Sequence, residues 1–247
     1  MPRAARKESK TGIYHIILRG INQQQIFEDE EDNTKFLQIV KDYKATSGFK
    51  LYAYCLMGNH VHLLIKVETE GLEQIFKRIG AKYVYWFNGK YNRTGHLFQD
   101  RFKSEPVESD EYFLTVLRYI HQNPVKAGLT NTVDAYKWSS YNEYVGKSSM
   151  VNTRFALKSM TKEEFARFNN EENNDTCIEN TSNRINDNDA KLMITELSGC
   201  STVGEFQALD TEEKHQHIKR FKEAGLSIRQ ISRLTGVSKG VIERMLG

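Results

Sequence analysis

Two histidines stand two positions apart in LYAYCLMGNHVHLLIKV, residues 51–67, and residues 118–124, RYIHQNP, bring a tyrosine and an asparagine four positions apart. In an extended strand, side chains alternate faces, so His60, His62 and Lys66 share one side while Val61, Leu63, Ile65 and Val67 line the other. The apolar set can pack on a core, and the two imidazoles then project together, close enough to share one divalent ion through their neutral nitrogens. The pair alone also fits partly exposed surface histidines or hydrogen-bonded core histidines; the downstream tyrosine favours the metal. EYFLTVLRYIHQN reads as a short amphipathic helix, N-capped by Asp110 and stopped by Pro124, with Phe113, Val116, Leu117 and Ile120 as its apolar stripe. On its other side Tyr112, Tyr119 and Asn123 recur, with Tyr119 and Asn123 one turn apart. With this helix near the histidine face, Asn123 supplies an oxygen to the ion and Tyr119 presents a phenol beside it.

A phenol with a solution pKa of about 10 is a poor nucleophile at neutral pH unless its target is polarised or its proton is removed. A divalent ion on a phosphate oxygen does the first, neutralising charge at phosphorus and holding the scissile group in line. The product is a phosphotyrosine ester, which keeps the phosphodiester energy, so a free DNA hydroxyl can reverse the attack. Cutting and rejoining then need no ATP. Tyr112 is the reserve nucleophile, about two turns earlier on roughly the same side.

The chain resembles the single-tyrosine HUH transposases, and within them the REP-associated tyrosine transposases. The likeness is carried by MGNHVHLLI (57–65), RTGHLFQDRFKS (93–104), RYIHQNPVKAGL (118–129) and WSSY (138–141), in order, and covers about residues 11–146. The resemblance implies that His60 and His62 bind the metal, that Asn123 completes the ligand set, and that Tyr119 forms a 5′-phosphotyrosine link to single-stranded DNA. Two nitrogens and one oxygen suit Mn²⁺, Zn²⁺ or Co²⁺ at least as well as Mg²⁺. The expected cofactor is Mg²⁺ in the cell, with Mn²⁺ as an effective substitute.

The elements that must position these groups are legible in outline. YHIILR near 14–19 reads as a first strand, and NTKFLQIVKDYKATSG as a helix with Phe36, Ile39, Val40 and Tyr43 on one stripe, ending at Gly48. Strands near 49–57 and 60–67 pair through a tight turn at Gly58-Asn59. A second helix follows, with Leu72, Ile75, Phe76 and Ile79 as its stripe, then a strand near 102–107 and the tyrosine helix. This β-α-β-β-α-β order predicts an α+β fold: a ferredoxin-like antiparallel sheet with helices on one face, as the resemblance also implies. It is assigned to residues 1–150.

With 247 residues the chain has room for one or two domains. Its 35 basic and 32 acidic residues give a net charge of only +3, so any nucleic-acid surface is a local patch. Cys55, Cys177 and Cys200 are odd in number, far apart and without CxxC spacing, which argues against a disulfide framework or structural zinc and suits a reducing cytoplasm. MPRAARKESK lacks the apolar core of a signal peptide, and no run reaches the length of a membrane span.

Aromatic and basic residues interleave from Lys82 to Lys103. Tyr83, Tyr85, Trp86, Tyr91, His96 and Phe98 divide between base-stacking positions and core, with Trp86 and Phe98 assigned to the core. Lys82 and Lys90 belong to the same candidate single-strand groove, and Arg93, Arg101 and Lys103 are its phosphate-contact candidates.

Residues 151–189 are assigned as a linker, partly disordered, on the strength of the Asn-, Asp- and Glu-rich stretch beginning near 168. Residues 190–247 read as a small all-α domain ending in a helix-turn-helix. There Ser227 and Gln230 form a capping box, Thr235-Gly236-Val237 the turn, and Ser238 caps the second helix. Eight Lys or Arg against two Glu between residues 214 and 244 favour duplex DNA, with Ser238, Lys239 and Arg244 as contact candidates.

The function expected is therefore an enzyme that cleaves and rejoins single-stranded DNA, at repeated palindromic hairpins. Its partners are those hairpins and duplex DNA through the C-terminal domain, with no membrane and with a homodimer left open. The alternatives are a domesticated regulatory protein that recognises the same hairpins without transposing, or a transcription factor built on the C-terminal module.

Overall fold

The computed structural model describes residues 6–173, 175, 177, 178 and 187–246, and the chain divides into two compact units, residues 1–179 and 180–247. The first unit is built on a four-stranded antiparallel sheet of β1 (Ile13–Arg19), β2 (Lys50–Met57), β3 (His60–Lys66) and β4 (Lys103–Pro106), in the order β2-β3-β1-β4. Helices α1 (Glu30–Ser47), α2 (Leu72–Lys90) and α3 (Asp110–Lys126) complete the frame. The β2–β3 hairpin turns at Gly58-Asn59 as its sequence predicts, and α1 ends at Gly48 in the left-handed region, φ 70°.

Register decides which side chains share the chemical face. Ile17 lies opposite both His62 and Lys103, His15 opposite Glu105, and Arg19 opposite His60, so these residues all point to one side of the sheet. The other side carries Leu18, Ile16, Val61, Leu63 and Ile65, and Leu18 lines a small cavity with Phe76 and Gly80 of α2. Tyr119 of α3 instead meets the rings of His15 and His62. The two faces are therefore covered by different helices: α3 lies on the imidazole face and α2 on the opposite one. The reason lies in β2, whose residues Leu51–Met57 are buried on both sides and need cover on both. The β2 edge is closed by the WSSY segment, where Leu56 N–H donates to the Trp138 carbonyl and Ser140 N–H to that of Tyr54.

Two boundaries of α3 also differ from the sequence reading. Its N-cap is Ser109, whose hydroxyl accepts from Tyr112 N–H, and Pro124 lies inside the helix. A proline this close to the end removes one backbone donor, and the remaining turn still closes, Ala127 N–H donating to Asn123.

Residues 151–170 are corrected from linker to part of the first unit. Here α4 (Tyr141–Val145) and α5 (Lys162–Asn170) pack through Phe165, fully buried and stacked on Tyr144 at 4.5 Å between centroids. An apolar anchor of this size outweighs the polar composition around it. Of the rest of the linker assignment, residues 187–189 are corrected to the first turn of a helix, Asp187–Ser198, and residues 174, 176 and 179–186 lie outside the described residues.

The second unit is helical: α6 (Asp187–Ser198), α7 (Val203–Ala208), α8 (Thr211–Glu223), α9 (Ile228–Thr235) and α10 (Lys239–Leu246). Its own core includes Ile194, Phe206, Ile218, Phe221, Leu226, Ile231 and Ile242. The capping box of Ser227 and Gln230 opens α9, and Gly236 closes it at φ 71°. At φ 71°, with a Cβ that would stand 2.9 Å from Val203 Cγ1, that turn favours glycine. Three residues separate α9 from α10, and the Ser238 carbonyl accepts from Val241 and Ile242 N–H. Among the described residues no helix is long and apolar enough to cross a membrane.

Candidate active site

His60 and His62 face each other edge to face, 4.9 Å between ring centroids. Each has its Nδ1 engaged: that of His60 lies 2.6 Å from Asn59 Oδ1, and that of His62 lies 3.0 Å from His15 Nε2. What each ring has left to offer is Nε2. Asn59 is itself placed by the loop after β1, where Gly20 N–H donates to the Asn59 carbonyl at 2.9 Å. A side chain at Gly20 would collide with the Gln24 carbonyl, so this close crossing requires glycine.

Burial pushes His60 down to about 4, helped by the positive charge of Arg19. His62 is held well below its ordinary value by burial, then by His60, His15 and Arg19. Both rings are therefore neutral at pH 7, the form that ligates metals. Among the described residues there is no group of three or more His, Cys, Asp or Glu able to hold an ion.

Tyr119 comes to this face from α3, its ring centroid 5.8 Å from that of His62 and 5.9 Å from that of His15. It is only 5 % exposed, with the Lys126 ammonium 5.3 Å from its ring centroid. Asn123 lies one turn on and donates from Nδ2 to the Tyr119 carbonyl at 3.0 Å, leaving Oδ1 as an oxygen donor for an ion. Tyr112, the reserve nucleophile, is committed elsewhere: burial and its hydrogen bond to Glu105 push its phenol upward, and a phenolate there would face a carboxylate.

Several groups at this face escaped the sequence reading. Arg19 and His15 share β1 with no motif around them, and Glu105 lies in a strand only four residues long. Alternation along YHIILR would have put His15 and Arg19 on one side of β1, but only strand pairing says which side. His121, in the middle of RYIHQNP, is fully buried between Ser140 Oγ at 2.9 Å and Asn169 Oδ1 at 3.0 Å. No atom of His121 reaches solvent, so it acts as a clamp joining α3 to α5 and the WSSY segment.

The candidate DNA contacts separate. Lys103 shares the imidazole face and is exposed, its ammonium lowered by burial and by Arg19. Arg101 pairs with Glu73 of α2 at 3.1 Å, among residues of the opposite face. Arg93 follows α2 and donates to Gln24 Oε1 at 3.3 Å. Of the interleaved aromatics, Tyr83 is core, its hydroxyl donating to the Ile26 carbonyl at 2.5 Å, while Tyr85 is 82 % exposed. Trp86 and Phe98 are half-buried, His96 is exposed, and Lys90 and Tyr91 are tied to Asp32 at 2.9 Å and 2.8 Å. In the second unit Lys239 is exposed beside Glu243 at 3.4 Å, Arg244 donates from Nε to the Gly240 carbonyl at 3.3 Å, and Ser238 is exposed.

Residues 8–123 match the family described as transposase IS200 like. A protein of Haemophilus influenzae named as a REP-associated tyrosine transposase is 29 % identical over 109 residues, which cover 39 % of this chain and 61 % of that relative. The chain thus spans less than two thirds of that relative's length. The solved structure of a REP-associated tyrosine transposase bound to a REP hairpin superposes with a TM-score of 0.52 at 17 % identity, covering 60 % of this chain and 87 % of the other, a likeness of fold. Through residues 8–123, the first unit of this chain is similar to the IS200-like transposase family.

Proposed function

We propose that this chain cuts and rejoins single-stranded DNA at hairpins formed by repeated palindromes, through a covalent link between Tyr119 and a 5′ phosphate. The observation that carries the reading is the convergence of two neutral imidazoles, each with Nε2 available, and the Tyr119 ring 5.8 Å away. The named relatives, one of them bound to a REP hairpin, support the choice of substrate.

A divalent cation, Mg²⁺ or Mn²⁺, fits the donor set: Nε2 of His60, Nε2 of His62 and Oδ1 of Asn123 would hold it, with water and phosphate oxygens as the remaining ligands. When bound, it supplies Lewis-acid polarisation of the scissile phosphate. Tyr119 Oη then forms a bond to phosphorus as the bond to the 3′ oxygen breaks; the phenol gives up its proton and the departing 3′ oxygen takes one. Reversal by a free 3′ hydroxyl rejoins the strand. With Tyr119 5 % exposed, the reaction requires its side chain, or the Lys126 stem beside it, to move. Arg19 and Lys103, on the same sheet face, are suited to the negative charge of the substrate.

In the same reading the sheet is of the split, ferredoxin-like kind, with order β2-β3-β1-β4, and α9–α10 is a helix-turn-helix that docks on duplex DNA through Ser238, Lys239 and Arg244. The setting is the cytoplasm. The test is incubation with labelled single-stranded hairpin DNA and Mg²⁺ or Mn²⁺, followed by denaturation. A covalent adduct is expected with wild type and lost with Tyr119→Phe, with His60→Ala/His62→Ala and with EDTA. No adduct on any hairpin, together with strong salt-dependent duplex binding, would favour a DNA-binding regulator built on the second unit.

A further inference from the structure

The imidazole pair is backed by a third histidine. His15 is fully buried, its Nε2 lies 3.0 Å from Nδ1 of His62, and the two ring planes are only 25° apart. On its far side, His15 Nδ1 lies 3.7 Å from Glu105 Oε2, too long for a hydrogen bond but close for a charge. Glu105 is held in turn by the Ile178 N–H at 3.0 Å and by the Tyr112 hydroxyl.

We propose that His15 is a positioning residue for the cation site: it accepts the Nδ1 proton of His62 and turns its own ring proton toward Glu105, fixing His62 in the tautomer that offers Nε2. The inference rests on the reading of His60 and His62 as cation ligands. A neutral imidazole has one N–H and one lone pair, so across the His15–His62 contact only one ring can donate. If His15 donated, its Nδ1 lone pair would face the carboxylate, and His62 would carry its proton on Nε2, where a cation must bind. If His62 donates, the His15 Nδ1–H points at negative charge and the His62 Nε2 lone pair is presented. A carboxylate only accepts, so Glu105 selects the second arrangement. With the two rings 0 % and 3 % exposed, bulk water does not compete for these protons. Outer-shell partners of this kind orient metal-ligating histidines, and their loss costs about 10–100-fold in metal affinity. The same chain of contacts explains why a second tyrosine stands on this side of α3: Tyr112 braces Glu105.

The test uses the full-length protein and two readouts. Histidine-resolved ¹⁵N NMR without metal reports tautomers, and Mn²⁺ titration followed by electron paramagnetic resonance reports affinity. Wild type is expected to show His62 protonated on Nδ1. In Glu105→Gln the new amide can donate to His15 Nδ1, so both protons should reverse and the Mn²⁺ dissociation constant should rise about 10–100-fold. His15→Gln, which keeps an acceptor, should retain affinity that His15→Leu loses. His62 protonated on Nε2 in wild type, or Glu105→Gln with unchanged tautomers and affinity, would overturn the positioning role while leaving the cation site standing. Wild type that takes up no Mn²⁺ would overturn the cation site itself and His15's role with it.

Discussion

Acidification should loosen the clamp that holds α3, and His121 is where the effect can be isolated. Burial holds its ring down to about 4 against an ordinary 6.5, partly offset by the hydrogen bond to Asn169. The folded-state value lies below the unfolded one, so the unfolded chain binds more protons between them. The stability conferred by the neutral ring is therefore complete above about 6.5 and is lost as pH falls toward 4. Each factor of ten in proton affinity is about 1.4 kcal/mol. The loss therefore reaches roughly 2 kcal/mol by pH 5 and roughly 3 kcal/mol by pH 4. His121→Gln keeps a neutral hydrogen-bonding side chain that cannot titrate. It should be less stable than wild type at pH 7, and the gap should close by about 2 kcal/mol at pH 5. Trp86 and Trp138 both lie in the first unit, so tryptophan fluorescence during urea unfolding reads that unit selectively. His15, His60 and His62 move in the same direction in both proteins and cancel in the difference. A gap that stays constant from pH 7 to pH 5 would refute the reasoning, because His121 would then titrate alike in the folded and unfolded chain.

Other outcomes follow from the same structure. Tyr112→Phe should still form the covalent adduct with hairpin DNA that Tyr119→Phe lacks, read by denaturing electrophoresis; the opposite pattern would move the nucleophile. Phe165→Ala should destabilise the first unit by about 3–5 kcal/mol in the fluorescence-monitored melt, as for a fully buried aromatic, whereas a linker residue would change it by less than about 0.5 kcal/mol. Gly236→Ala, at φ 71° and against Gln207, should weaken the second unit without moving the tryptophan transition, as measured by calorimetry. Lys239→Ala with Arg244→Ala should lower the slope of log affinity against log salt for duplex DNA by about 2, one counterion per phosphate contact; an unchanged slope would take those side chains off the DNA.

The grouping of the candidate side chains was legible because it depends on local periodicity. Alternation along MGNHVHLLI puts His60 and His62 on one face, and a spacing of four puts Tyr119 and Asn123 one turn apart, whatever the rest of the chain does. Caps and turns were legible for the same reason: Gly48, Gly58-Asn59, Ser227 with Gln230, and Gly236 each act through a few neighbouring residues. The cap and stop of α3, read as Asp110 and Pro124, were misjudged locally; the other misjudged points involve partners distant in sequence. The polar composition after Met150 suggested a linker, yet Phe165 finds Tyr144 and fills a core position. Tyr112 looks equivalent to Tyr119 along the helix, yet Glu105 is its partner.

Residues 57–65 and 118–124 by themselves determined the types of group available: two imidazoles, an amide oxygen and a phenol. Tertiary structure alone decided that α3 crosses the imidazole face, that Tyr119 is packed away at 5 % exposure, and that His15 and Glu105 stand behind His62. The physical reason is register. Pairing β1 with β3 and β4 puts His62 and Glu105, 47 and 90 positions from His15 in the chain, on the same face as His15, and shifting either pairing by one residue would put them on the other face of the sheet.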